Sequence, residues 1–232
     1  MLYVLGVTLL LAFSNAQALE SNAETVATIK READQGSASS QALLGVMYYE
    51  GQGVRQDYAE ARKWWEKAAA QGHAKAQLNL GVMYAKGQGV QQDYAEARKW
   101  HEKAAAQGHA DAQYNLGVMY YEGQGVQQDY TEARKWWEKA AAQGHADAQL
   151  NLGIIYYGGQ GMQQDYAEAR KWWEKAAAQG NSKAQYNLGV MYHEGQGVRQ
   201  DKRTAKEWFS KACDNGDQQG CDNYRKVNEA GL

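Results

Sequence analysis

Apolar and polar positions along the chain follow two alternating patterns. In the first, Ala76, Leu80 and Tyr84 recur at intervals of four residues, the spacing of one face of a helix, with Gln77 beside them. The stretch "GQGV" then interrupts this spacing, and its Gly87 can adopt the positive φ that often ends a helix. The pattern therefore predicts a first helix that stops at a glycine turn.

The second pattern predicts a second helix directly afterwards. Asp93 precedes Glu96 by three residues, the spacing of a capping box, and the helix is expected to run from Tyr94 to about Gln107. Lys and Glu alternate along "EARKWWEKA", which indicates a solvated face with ion pairs four residues apart. The unit is thus a helix hairpin. Its expected inward-facing residues are Ala97, Trp100, Ala104 and Ala105.

The sequence motif of this hairpin occurs five times with a fixed period. The glycines of the "LG" pair recur every 36 residues, at Gly45, Gly81, Gly117, Gly153 and Gly189. Such a period is typical of repeat proteins, in which each unit buries its apolar face on its neighbours. The predicted fold class is all-α, with helix-turn-helix repeats. The expected repeats are 37–72, 73–108, 109–144, 145–180 and 181–216.

The head of the chain has the pattern of a secretory signal peptide over residues 1–18. An apolar run of 13 residues is followed by "SN" and by Ala16-Gln17-Ala18, so cleavage is expected after Ala18. The run is too short to cross a bilayer as a helix, although it lacks the usual basic residue at its start. The alternative is a buried N-terminal helix.

Both ends of the repeat array resemble parts of a repeat. Residues 19–36 are expected to form an N-terminal capping helix, with Ile29 at a position where the repeats carry an aromatic residue. Residues 217–232 are expected to form a C-terminal capping helix. There Arg225 replaces the glycine of the "LG" pair, where a further repeat would need close approach.

Charge and motifs argue against several classes of function. A net charge of −2 gives no attraction to nucleic acid or to an anionic membrane, so we expect neither as a partner. "GQGVQQ" lacks the third glycine and the preceding strand of a dinucleotide site. His73, His109 and His145 lie one repeat apart, too far to share a zinc ion. They are expected to cap helices, as the capping residue types Asn181 and Asp217 at the same position suggest. We therefore expect no metal and no cofactor.

The repeated motif resembles one known family. "A-x-x-x-L-G-x-x-Y-x-x-G-x-G-V-x-x-D-Y-x-x-A-x-x-W-x-x-x-A-A-x-x-G" is similar to the Sel-1-like repeat, a branch of the tetratricopeptide superfamily, over about 180 of 232 residues. The resemblance implies a right-handed α-solenoid whose concave groove serves as an adaptor or ligand-binding scaffold. The family shares no single reaction, so function has to be argued from the surface of this chain.

The two cysteines strengthen a resemblance to the cysteine-rich bacterial members of the family, which proposes a disulfide between Cys213 and Cys221. An even cysteine number in a secreted chain agrees with it, and two free thiols in a cytosolic protein are the alternative. Those members are also associated with penicillin binding and weak β-lactam hydrolysis. The S-x-x-K, S-D-N and K-T-G motifs are absent, so no catalytic residue is predicted. A third hypothesis, a self-associating spacer, is disfavoured by the polar tail, and a monomer is expected.

Comparison of the repeats predicts the binding surface. The counterparts of positions 75, 78, 85 and 86 vary and are expected on one arc, opposite Leu80 and Tyr84. Drift on an exposed face is the alternative. The aromatic members expected to contact a ligand are Tyr49, Tyr114, Tyr121, Tyr157, Tyr186 and His193.

Each repeat from the second onward also has an asparagine before its "LG" pair. In peptide-binding tetratricopeptide domains the matching position holds the ligand backbone, and an amide can pair with any peptide group. The alternative is that these residues bond a neighbouring helix. The sequence thus predicts a periplasmic or secreted scaffold that binds a peptide or protein partner, with cell-envelope proteins as candidates. The asparagines are Asn79, Asn115, Asn151 and Asn187.

Overall fold

The computed structural model describes residues 24–229, and its regular secondary structure over that range is helical. The signal peptide expected in 1–18 lies outside the described residues. Residues 24–34 form the part of helix α1 that is described. The other helices are α2 (Ala38–Glu50), α3 (Tyr58–Ala70), α4 (Ala74–Lys86), α5 (Tyr94–Ala106), α6 (Ala110–Glu122), α7 (Tyr130–Ala142), α8 (Ala146–Gly158), α9 (Tyr166–Ala178), α10 (Ser182–Glu194), α11 (Lys202–Asp214) and α12 (Gln218–Glu229).

The helices pair in chain order within two compact units, Met1–Gln107 and Gly108–Leu232. In the first unit α2 packs on α3, α3 on α4 and α4 on α5. In the second unit the same succession runs from α6 to α12. We call α2, α4, α6, α8 and α10 the first helices of their hairpins, and α3, α5, α7, α9 and α11 the second helices. The predicted all-α fold of repeated helix hairpins is confirmed.

The second helices begin at an aspartate cap. The carboxylate of Asp93 accepts a hydrogen bond from the backbone N–H of Glu96 at 3.0 Å, as the sequence predicts. The Glu96 carboxylate pairs with Lys99 Nζ at 2.8 Å instead of completing a capping box. Arg98 and Glu102, four residues apart, form the predicted ion pair at 2.9 Å.

The row of histidines at the starts of the first helices has the predicted capping role at two of its three members. His73 Nδ1 accepts from a backbone N–H at 3.3 Å and His145 Nδ1 does so at 3.2 Å. Asn181 and Asp217 make the same bond with side-chain oxygens, at 3.0 and 2.7 Å. His109 makes no side-chain cap, so the prediction is wrong there.

One buried aromatic residue per second helix packs on the glycine of the "LG" pair. In the fourth repeat Trp173 is 3% exposed and its indole N–H donates to the carbonyl of Leu150 at 3.1 Å. A Cβ atom at Gly153 would come within 3.0 Å of the Trp173 ring, closer than real Cβ contacts. The glycine therefore exists to admit the ring. The residues that pack in the same way as Trp173 in the other repeats are Trp65, His101, Trp137 and Phe209.

The prediction that Trp100 is the inward-facing aromatic residue of α5 is only partly right. Trp100 packs against the core only in part, and Lys103 Nζ lies 4.0 Å from its ring centroid. The neighbouring His101 is the fully buried side chain, at 2% exposure. Both residues lie on the apolar arc set by Ala97, three and four positions on, so helical spacing alone does not separate them.

Glutamines form a buried amide ladder between hairpins. Gln149 donates to the carbonyl of Ala141 at 3.3 Å and accepts from Gln179 at 2.9 Å. Gln185 repeats the arrangement, donating to the Ala177 carbonyl at 3.1 Å and accepting from Asn215 at 2.9 Å. Buried polar groups need such partners, so this row has a structural role.

The terminal helices close the two units. In the first unit, Ile29 and Ala33 of α1 pack with Leu44 and Trp64. In the second, a disulfide joins Cys213 of α11 to Cys221 of α12, with the Cα atoms 4.5 Å apart. Closing so short a loop restricts the unfolded chain and stabilises by roughly 2–3 kcal/mol.

The outward side of α12 is polar. Arg225 is exposed and pairs with Asp222, whereas Tyr224 is half-buried against the Phe209 cluster. Over residues 24–229, no helix is long and apolar enough to cross a membrane.

Candidate functional site: the first-helix face

One face of the first helices is lined by the same four positions in each hairpin. In α8 these are Asp147, Asn151, Ile154 and Gly158, spaced by four, three and four residues and therefore on one side of the helix. We call this side the first-helix face. Pockets open on it where two consecutive first helices, or α10 and α12, lie side by side.

The second unit has three such pockets, each named here after the aromatic residue in its wall. The Trp137 pocket has a volume of about 270 Å³, the Trp173 pocket about 320 Å³ and the Phe209 pocket about 290 Å³. Ile154 lines both the Trp137 and the Trp173 pocket. Tyr186 lines both the Trp173 and the Phe209 pocket. Neighbouring pockets of the second unit thus share wall residues, and we call the row of three the groove.

The first unit has a pocket of the same construction. The Trp65 pocket, about 290 Å³, lies between α2 and α4. Tyr49 and Glu50 contribute from α2, and Lys75 and Asn79 from α4. The same positions thus form a pocket in both units.

Nine of the ten residues predicted for ligand contact line these four pockets. Asn115 is the exception, because it lines none of them. The nine are Tyr49 and Asn79 in the Trp65 pocket; Tyr114, Tyr121 and Asn151 in the Trp137 pocket; Tyr157, Tyr186 and Asn187 in the Trp173 pocket; and His193, with Tyr186 again, in the Phe209 pocket.

The asparagines differ in what they bond. Asn151 is hydrogen-bonded to the hydroxyl of Tyr114 on the preceding first helix. Tyr114 is 37 residues before Asn151, and the residue 37 positions before Asn187 is Leu150, whose side chain cannot form a hydrogen bond. Within the described residues the Asn187 side chain makes no hydrogen bond. Asn79 has Ala42 at the equivalent position and likewise makes no side-chain hydrogen bond within the described residues. Asn79, Asn115 and Asn187 thus make no side-chain hydrogen bond within the described residues, and of these Asn79 and Asn187 line a pocket where a ligand could reach them.

Tyrosine hydroxyls differ in the same way. Tyr49 donates to Gln88 Oε1 at 2.5 Å, and Tyr157 donates to Gln196, so each ties its helix to the loop of the next hairpin. Tyr121, at the equivalent position, makes no such bond within the described residues. Its ring packs on Tyr130 and Trp137, with centroids 5.2 and 5.4 Å apart.

Tyr114 is held by a ring contact and by its hydrogen bond to Asn151. Its ring stacks on His145 with the centroids 4.6 Å apart. Burial chiefly, with the nearby carboxylates of Asp147 and Glu122, raises the pKa of its hydroxyl, while the bond to Asn151 lowers it. The hydroxyl is therefore neutral at pH 7.

Only some residues of the predicted variable arc are exposed to solvent. At position 78 and its counterparts, Ala42, Leu78 and Leu150 are buried, so these residues pack in the core. Sequence reasoning also missed the aliphatic floor of the groove, which is Val118, Ile154 and Val190. These residues follow the asparagine position by three and carry valine or isoleucine in every repeat, a helical spacing that marks the same face.

Repeated hairpins with pockets on one face define an α-helical repeat protein. The chain belongs to the Sel1 repeat family: the family model for the Sel1 repeat matches residues 38–73, 74–109, 110–145, 146–181 and 182–217. No curated protein matches the chain. Among residues 24–229, no group of three or more His, Cys, Asp or Glu side chains is placed to hold a metal ion.

Solved structures show the same fold. An Escherichia coli protein, c5321, described as a protective antigen of uropathogenic strains with an SLR fold, is 40% identical over 89% of this chain, with a TM-score of 0.87. The chain spans 44% of that protein's length. A Sel1 repeat protein from Oxalobacter formigenes is 32% identical, covering 91% of this chain and 89% of its own, with a TM-score of 0.79.

Proposed function

We propose that this Sel1 repeat scaffold is exported and binds an extended peptide segment of a protein partner along the first-helix face. The observation that carries the proposal is the groove of the second unit, in which three pockets share lining residues. A ligand that follows such a groove has to be long and narrow. An extended polypeptide has that form and presents a peptide group and a side chain at regular intervals.

The groove supplies two kinds of contact that a peptide needs. Aromatic and aliphatic side chains, such as Tyr121, Ile154 and Tyr157, give apolar surface for side chains of the ligand. Asn187 offers an amide donor and acceptor that no protein group occupies within the described residues, so it can bond the ligand backbone whatever its sequence.

Replacing Asn187 by alanine is expected to weaken peptide binding without changing stability. The amide has no internal partner to lose, while a hydrogen bond to a ligand is worth roughly 1 kcal/mol, or about fivefold in affinity. Peptides selected from a random displayed library on the disulfide-bonded protein would be synthesised. Their binding would be measured by calorimetry, and the melting temperature by circular dichroism.

Asn151→Ala is the matched control, because Asn151 occupies the same position but bonds Tyr114. It should lower the melting temperature, since the Tyr114 hydroxyl loses its partner. Unchanged peptide affinity in Asn187→Ala, or a library that yields no binder, would contradict the proposed function. A stability loss in Asn187→Ala equal to that in Asn151→Ala would make the asparagine row structural.

Export is supported by the disulfide and by the signal-like pattern at the head of the chain. Disulfides persist in oxidising compartments and are rare in the cytosol. Expressed in a host with a cell envelope, the full chain should be recovered outside the cytosol. Its intact mass should correspond to a chain that starts at Leu19 and is two hydrogens lighter than the reduced form. An uncleaved, cytosolic chain with free thiols would contradict export.

A further inference from the structure

The pockets of the second unit differ in charge, although their aromatic walls are alike. Glu122 lines the Trp137 pocket, and Asp147 lies one turn before Asn151 on the same face. At the Trp173 pocket the equivalent positions are Gly158 and Lys183. Both carboxylates of the first pair have thus been replaced, one by no side chain and the other by a cation.

The Trp137 pocket combines exposed carboxylates with aromatic surface. Glu122 is exposed and lines the pocket, and Asp147 is exposed one turn before Asn151, where its carboxylate also accepts from Asn181 Nδ2 at 3.0 Å. Tyr121 and Trp137 add ring surface, and the Tyr121 hydroxyl has no internal bond among the described residues. A cation can contact a ring face and pair with a carboxylate at the same time, so this pocket is suited to a lysine or arginine side chain.

The Trp173 pocket is suited to a different side chain. Ile154, Trp173, Tyr186 and Val190 form most of its wall, and its one amide is Asn187. Lys183, at the start of α10, is the charged residue at the position that Asp147 holds in α8. The residues that line this pocket include no carboxylate to pair with a cation, whereas a large aliphatic or aromatic side chain buries apolar surface against them.

The spacing of the two pockets sets the spacing of the ligand side chains. Successive pockets are separated by one first helix, whose diameter with side chains is roughly 10 Å, and an extended chain advances about 3.3 Å per residue. One pocket therefore corresponds to about three ligand residues. Ile154, shared by both pockets, lies beneath the residues between them.

We infer that the second unit recognises an extended peptide segment in which a lysine or arginine and a large apolar residue stand three positions apart, the cation in the Trp137 pocket and the apolar side chain in the Trp173 pocket. This inference rests on the proposed function and specifies the chemistry of its partner. The Phe209 pocket contains both Glu194 and Lys226 and adds no selection by charge.

The test uses short synthetic peptides, otherwise of alanine and serine, on the full-length disulfide-bonded protein. Lys-Ala-Ala-Leu and Leu-Ala-Ala-Lys cores test both chain directions, Glu-Ala-Ala-Leu and Leu-Ala-Ala-Glu cores reverse the charge, and Lys-Leu and Leu-Lys cores change the spacing. We expect one of the two three-position lysine cores to bind at least about tenfold more tightly than its glutamate counterpart and than both adjacent cores. Nitrogen–proton NMR should show shifts at the Trp137 indole and the Asn151 amide.

A charge-neutralised variant links the preference to the named residues. Glu122→Gln with Asp147→Asn should remove the preference for lysine over glutamate and leave the effect of Asn187→Ala intact. Glu174→Gln, an exposed carboxylate of α9 paired with Arg170 and outside the groove lining, should leave the preference unchanged.

Several outcomes would overturn the inference. In one outcome, library-selected peptides bind through Asn187 while the three-position lysine cores bind no better than the glutamate cores or the Lys-Leu and Leu-Lys cores. In that case the inferred preference for a cation three positions from an apolar residue is wrong, and the proposed function stands. If lysine preference survives in the Glu122→Gln, Asp147→Asn variant, the cation binds elsewhere. If neither library peptides nor designed cores bind, both proposals fail.

Discussion

Replacing Trp173 by alanine is expected to lower the free energy of unfolding by about 3–5 kcal/mol, the usual cost of removing a buried indole. Trp173 is 3% exposed, packs against the backbone at Gly153 and donates its N–H to Leu150. The change would therefore leave a cavity between α8 and α9 and an unpaired carbonyl. Urea unfolding of the full chain, followed by circular dichroism, measures it.

Trp172→Ala provides the matched control on the adjacent residue. Trp172 is half-buried, its ring lies 3.8 Å from Lys175 Nζ, and its N–H has no hydrogen-bond partner to lose. We expect a loss of about 1–2 kcal/mol there, from partial burial and the cation–π contact. Equal losses in the two variants would contradict the assignment of the core residue.

A second substitution tests the same contact from the other side. Gly153→Ala should be strongly destabilising in the natural chain, because the added Cβ would overlap the indole of Trp173. In the Trp173→Ala background the space is free, so the same glycine change should cost much less. Additive effects would mean that the glycine serves another purpose.

The sequence predicted the local structure of the hairpins well, because the interactions that set it are local. Asp93 reaches a backbone N–H three residues on, and Gly87 adopts its positive φ at the turn, both inside one 36-residue unit. These features depend on short-range geometry, which periodicity and residue type encode directly. The all-α repeat fold follows from them once the period is known.

The site was harder to predict, since it depends on which residues of neighbouring hairpins meet. Trp172 and Trp173 both lie on the apolar arc of α9, and only the facing Gly153 selects the second as the core residue. The partner of Asn151 is a tyrosine 37 positions earlier, whereas Asn187 has a leucine at that place. An asparagine row that is uniform in sequence is therefore not uniform in bonding. Such differences arise from packing between hairpins, beyond the reach of helical spacing.

His101 should make the first unit less stable as the pH falls. It is the histidine that replaces tryptophan at the core position, it is 2% exposed, and its Nδ1 has no hydrogen-bond partner. Burial lowers its pKa to about 4, and no charged group contributes to that shift. In the unfolded chain a histidine has a pKa of about 6.5.

The sign of the effect follows from these two values. Between pH 6.5 and about 4 the unfolded chain binds a proton that the folded chain excludes, so acid favours unfolding. The contribution of neutral His101 is fully present above pH 6.5. It declines as the pH falls toward 4, by a total on the order of 3 kcal/mol.

Two variants taken from the chain's own repeats isolate this contribution. His101→Trp introduces the residue that the first repeat has at the equivalent position, Trp65, and His101→Phe introduces the one that the fifth repeat has, Phe209. Neither side chain titrates, so the difference in unfolding free energy between each variant and the natural chain should grow as the pH is lowered from 7.5 to 4.5. The other titrating groups are common to all three proteins and cancel in that difference. His101→Trp should also be the more stable at neutral pH, since Trp65 donates to the Ala42 carbonyl at 3.1 Å and its counterpart would gain a donor toward Leu78. A difference that stays constant with pH in both variants would show that His101 is not the acid-sensitive group of this core.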